Sequence, residues 1–276
     1  MFRLFKSNFK TTNDCIILAT PLIIFLSILG WYFDYAKNSV DNIPKLILAF
    51  ITILIMIAGC CSAWFYMTKK TLSLANKVFV FDKDRIKAFQ SLILSLPKGI
   101  GRFFLSFLGV ISLTGLTYSI VFIFAAFIIN KYVGTIDIEW LTSDNLLIST
   151  KELLEEISTL SNEELITINC WYLLVTAIST ILSFFTIFWI PEIIYSEKNP
   201  YKALFNSIKK VFITFSKSFF LFIYINIIIA IVTILNTLLL VHPIAYFFVL
   251  LLYYYFLVYI VVLIFSYYEQ TFIKKQ

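Results

Sequence analysis

The chain has 276 residues, of which 61% are hydrophobic, 18% aromatic and 14% charged, with a formal net charge of +6; its mean hydropathy is +0.92. Soluble domains hold about 45–50% apolar and about 25% charged residues, so the composition excludes an ordinary water-solvated globule and indicates a membrane chain. The four cysteines (Cys15, Cys60, Cys61, Cys170) contain no C-x-x-C pair and His242 is the single histidine, so neither a disulfide framework nor a zinc site is expected.

A membrane-crossing helix needs about 20 largely apolar residues. Six stretches qualify, at about 15–33, 46–68, 103–129, 167–190, 218–240 and 244–267, and helices are the only reading because no period-two barrel pattern appears. Arg3, Lys6 and Lys10 precede the first stretch, which runs to Phe33 without a small-residue cleavage site and is therefore expected to remain as an uncleaved span. The chain reads as one polytopic membrane domain over 1–276.

Between the second and third spans lies "DKDRIKAFQSLILSLPKGIGRFFLS", residues 82–106. Asp82 or Asp84 suits a helix cap, Phe89, Leu92, Ile93 and Leu96 form an apolar stripe, and Pro97-Lys98-Gly99 is expected to end the helix. On the third span Ser106, Gly109, Ser112, Gly115 and Ser119 share a face, as Thr176, Ser179, Thr180, Ser183 and Thr186 do on the fourth. Such stripes either let helices approach closely or line a polar path. The intervening stretch, about 130–166, carries eight acidic residues against Lys131 and Lys151. Its leucines and isoleucines fall near helical spacing, as for a solvated cap, a lid or a cation-attracting vestibule.

After the fourth span comes "PYKALFNSIKKVFITFSKSFF", residues 200–220. Asn199 is a good N-cap and Pro200 suits the first helical position. Tyr201, Leu204, Ile208 and Val211 make an apolar stripe, with Lys202, Asn206, Lys209 and Lys210 off it. Shifted by 115 positions, Lys87-Ala88-Phe89 falls on Lys202-Ala203-Leu204, Arg102 on Lys217 and Phe104 on Phe219, which suggests a parallel internal repeat. Both segments read as basic amphipathic helices lying in the membrane plane. Lys87, Lys202, Lys209 and Lys210 are then candidate contacts to anionic lipid or to a cytoplasmic partner. Within the fifth span Asn226 needs hydrogen-bonding partners and reads as glue between helices, with a ligand contact as the alternative.

Charge gives the orientation. Three basic residues precede span 1, eight lie between spans 2 and 3, five between spans 4 and 5, and two follow span 6; these are 18 of the 22. Lys37, Lys45, Lys131 and Lys151 alone fall in the alternate loops, so both termini are expected in the cytoplasm. This loop-bound distribution speaks for lipid headgroups as partners and against nucleic acid. As bounded above, the span interiors hold no Asp, Glu, Lys, Arg or His, which lowers the expectation of proton coupling or voltage sensing. No H-E-x-x-H, G-x-S-x-G or P-loop motif occurs, so neither catalysis nor a cofactor is expected.

Pro191 at a span end, Ala203 and Ser207 on the following helix and Lys217 opening the next span together resemble a pattern in polytopic membrane families of Gram-positive bacteria. One is the membrane domain attached to some glycerophosphodiester phosphodiesterases. The first copy departs from the pattern, with Ala88 followed by Ser91. The resemblance covers about a fifth of the chain and brings no catalytic residue with it. The functional expectation is a non-enzymatic, permease-like or accessory subunit of a bacterial cell-membrane complex, working with a cytoplasmic ATPase or another membrane subunit. The alternative is a stand-alone structural, immunity or envelope-stress protein.

Overall fold

A computed structural model describes residues 2–40, 42–75, 82–133, 162–239 and 243–274. Among them every regular element is helical: α1 (Phe2–Asp14), a 3₁₀ turn (Ile16–Leu18), α2 (Ala19–Ser39), α3 (Ile43–Ala75), α4 (Asp82–Ile93), α5 (Ser95–Tyr132), α6 (Asn162–Thr186), α7 (Trp189–Tyr195), α8 (Pro200–Ile213), α9 (Phe215–Leu239), α10 (Pro243–Tyr268) and a π-helical turn (Glu269–Ile273). Six helical stretches are long and apolar enough to cross a membrane: Ile16–Ser39, Ile43–Ala75, Lys83–Tyr132, Leu165–Tyr195, Phe215–Leu235 and Phe247–Ile273. Most of the acidic 130–166 stretch, and His242, lie outside the described residues.

Two prolines shape the helix breaks, and both act differently from the sequence expectation. Pro97 does not stop α4 at its own position. It lacks the N–H that would bond the carbonyl of Ile93, and its ring crowds that carbonyl, so α4 ends at Ile93 and Pro97 sits in the first turn of α5. Pro191 does the same to Ile187: α6 ends at Thr186, and helix resumes at Trp189 and continues through the proline to Tyr195. The fourth span was expected to finish near residue 190. It is instead a kinked helix that carries Glu192 within the stretch long and apolar enough to cross.

The second of the amphipathic segments, the elbow helix α8 between the fourth and fifth spans, starts as its sequence dictates. Asn199 has extended backbone (φ −72°, ψ 118°) and its side chain accepts from the amides of Tyr201 and Lys202, with Pro200 following. At the far end Thr214 leaves the helical path, and its hydroxyl bonds Lys210 O at 2.8 Å and Ser218 Oγ at 2.9 Å.

The described chain groups into two units, Met1–Ile111 with Phe185–Gln276, and Ser112–Phe184. In the first, the Phe65 ring lies nearly parallel to those of Phe107 (5.7 Å) and Phe265 (6.0 Å). Trp64 Nε1 donates to Leu18 O at 2.8 Å, tying α3 to the 3₁₀ turn. Gly99 lets α5 lie against α3: a Cβ there would fall 2.8 Å from Ser62 O and 2.9 Å from Ala63 Cα. In the second unit Val121, Ala125 and Ile129 are buried.

Candidate functional site

The kink at Pro191 turns Glu192 inward, where it is only 2% exposed. Its carboxylate has three donors. Lys210 Nζ stands 2.5 Å from Oε2, the Tyr268 hydroxyl donates to the same oxygen, and Asn206 Nδ2 reaches Oε1 at 3.3 Å. Tyr268 Oη in turn accepts from Lys210 Nζ at 2.6 Å and lies 3.2 Å from Ser196 Oγ. Because the tyrosine's own proton goes to Glu192, Ser196 is the donor in that last contact. The ammonium also sits over the rings of Tyr268 (4.7 Å) and Phe272 (5.2 Å), where ring quadrupoles attract it further.

A neighbouring strip extends this junction. Tyr195 Oη donates to Glu269 Oε2 at 3.2 Å, and Lys69 Nζ donates to Ile194 O at 3.0 Å while lying 4.4 Å from the Tyr195 ring centroid. Trp189 Nε1 donates to Pro200 O at 2.9 Å. Three chain segments, α7, α8 and the end of α10, are thereby fastened at one place.

Chemically the arrangement is a lock. A buried carboxylate with a cation and two neutral donors is compensated, and the carboxylate itself is only 2% exposed. Among the described residues no three His, Cys, Asp or Glu side chains gather as a metal site would need. A buried pair of this kind adds little net stability over a well-packed apolar substitute, but removing one partner alone is costly.

The elbow helix α8 has three faces. Ala203, Ser207 and Val211 are buried, and small side chains there let the helix backbone lie close to its neighbours; Ser207 Oγ donates to Phe185 O at 3.3 Å. Lys210 and Asn206 turn toward Glu192. The outer face carries Tyr201, Phe205 and Phe212, with Phe205 71% exposed, and beside them the exposed Lys202 and Lys209. The apolar stripe drawn from the sequence is therefore split: Val211 faces inward and Tyr201 outward.

Of the four candidate lysines, Lys87, Lys202 and Lys209 are exposed as expected. Lys210 differs from them in being half-buried and paired with Glu192. Ser106 and Gly109 do serve close approach, but toward the turn before the elbow. Ser106 Oγ donates to Lys198 O at 2.6 Å, and a Cβ on Gly109 would meet Pro200 Cγ at 2.6 Å. Asn226 is exposed and its Nδ2 bonds Phe222 O of its own helix at 2.8 Å. Thr176 and Ser183 lie exposed on α6, where Thr180 Oγ1 bonds back to Thr176 O at 2.7 Å. Sequence reasoning missed Glu192 and Tyr268. The signal available was a lone acid one residue past a proline that kinks a span instead of ending it.

No family model matches the chain, nor does any curated protein or solved structure.

Proposed function

We propose that this chain is a non-enzymatic, multi-pass membrane protein with both termini in the cytoplasm, acting as a permease-like or accessory subunit of a bacterial membrane complex. The observation that carries the reading is the two-sided elbow. The back of α8 is fixed to Glu192 and Tyr268, while its front presents Lys202 and Lys209 beside Tyr201, Phe205 and Phe212. A helix held rigidly by its back is a suitable platform for transmitting force or position between a cytoplasmic subunit and the spans. The exposed aromatics favour a second reading, in which the elbow anchors a stand-alone structural, immunity or envelope-stress protein in the lipid boundary.

Extraction of tagged protein in mild detergent separates the two. A stoichiometric ATPase or membrane subunit that co-purifies, and is lost on Lys202→Glu with Lys209→Glu, supports the subunit reading. Recovery of this chain alone refutes it and leaves the anchoring role.

A further inference from the structure

The N-terminal helix α1 packs with its small polar face inward. Asn8 is 2% exposed and donates Nδ2 to Tyr259 O at 3.3 Å, the Phe5 ring stacks on Tyr224 at 3.9 Å, and Phe9 lies 4.5 Å from the Tyr259 ring. Tyr224 and Tyr259 join through their hydroxyls at 2.9 Å. These contacts hold α1 against α9 and α10. They leave a trough of about 690 Å³ between α1 and α9, lined by Phe9, Phe220, Ile223, Tyr224, Ile227 and Lys6.

Three features of this trough select its occupant. Its size falls within the about 300–1,000 Å³ of ligand sites, and its walls are apolar apart from Lys6 and the Tyr224 hydroxyl. It opens sideways: Phe220 and Ile227 are exposed on a helix apolar enough to cross a membrane, and Phe9 is exposed on α1 beside them, so its mouth faces whatever surrounds the spans. Finally, Lys6, one of the lining residues, is exposed and makes no ion pair among the described residues. Lys217, also exposed, falls on the same face of α9 as Phe220, Tyr224 and Ile227, at helical spacing of three and four residues. An apolar trough with a lysine in its lining has the complement of an anionic lipid: acyl chain along the wall, phosphate at the ammonium.

We propose that this trough is a binding site for one anionic glycerophospholipid, whose acyl chain lies along Phe220, Ile223 and Ile227 and whose phosphate pairs with Lys6. A zwitterionic lipid fits the apolar wall equally well, so the selectivity resides in the charge. A lysine near a membrane surface contributes about 1 kcal/mol toward anionic lipid, or about fivefold in occupancy. The site is independent of whether α8 docks a partner.

The test uses the full-length chain in bilayer nanodiscs of equal parts phosphatidylglycerol and phosphatidylcholine, with a photoreactive group in the acyl chain of one lipid at a time. Peptides of α1 and the Phe220–Ile227 stretch should be labelled about fivefold more by phosphatidylglycerol. Lys6→Gln should bring the two lipids toward parity. Ile223→Trp, which fills the trough and leaves the charge, should remove the labelling by both while the protein stays monodisperse. Equal labelling by both lipids with no change in Lys6→Gln means ordinary solvating lipid and overturns the proposal. Crosslinks dominated by a second copy of the chain overturn it equally.

Discussion

Lys210→Met is the sharpest perturbation of the elbow lock. It removes the ammonium 2.5 Å from Glu192 and leaves that carboxylate, 2% exposed, with Tyr268 and Asn206 alone. Breaking a buried pair from one side costs about 3–5 kcal/mol. Lys210 retains 23% side-chain exposure, so its charge was only partly desolvated, and the loss should lie at the lower end, about 3 kcal/mol. In a chain of this length that corresponds to a fall of about 6–12 °C in the melting midpoint, read as the fraction staying monodisperse after heating in mild detergent. Lys209→Met, one residue away but exposed, should stay within about 0.5 kcal/mol of the parent. Adding Glu192→Gln to Lys210→Met removes the orphaned charge and should restore about 2 kcal/mol, a coupling within the range for residues in contact. If Lys210→Met costs no more than Lys209→Met, or if the two single losses simply add in the double variant, the lock does not exist as described.

Further predictions concern close approach and the polar residues. Gly99→Ala drives a Cβ to within 2.8 Å of Ser62 O and 2.9 Å of Ala63 Cα, backbone atoms that cannot step aside, and should lower stability by about 1–3 kcal/mol. Gly101→Ala, with nothing within 4 Å, should be neutral or raise stability by up to about 1 kcal/mol, so the pair forms an internally controlled thermal-shift measurement. Gly109→Ala should push the Pro200 ring away, cost about 1–3 kcal/mol and speed tryptic cleavage at Lys198. Asn226→Leu should leave the midpoint within about 0.5 kcal/mol of the parent, since the amide bonds its own helix; a large loss would restore it as glue between helices.

The sequence carried the elements whose signals are local. The Asn199-Pro200 cap was legible because one side chain and one missing N–H decide it within three residues. The six apolar stretches were legible because hydrocarbon-length runs have few other uses. The site was not, and the reasons are specific. A proline looks the same whether it ends a span or kinks it, so Glu192 was placed outside the fourth span. Lys209 and Lys210 both lie off the apolar stripe, and only the direction of Glu192 after the kink decides which of them faces inward. The helix α1 was hidden for a different cause: its buried side chains include the polar Asn8, whose Nδ2 donates to Tyr259 O, and Thr12, so the usual link between apolar and buried is reversed there. For the elbow, small residues rather than large apolar ones mark the packed face, which is why Ala203 and Ser207 went unnoticed as its core.

The central claim is that α8 lies on the cytoplasmic side with its lysine edge open. It is tested most directly by sided cysteine labelling in a variant without the four native cysteines. With a membrane-impermeant maleimide, Lys202→Cys should react only after the membrane is opened, and Ser143→Cys, in the acidic stretch, should react in intact cells. Labelling of both positions from the same side would contradict the six-span topology and, with it, the cytoplasmic elbow.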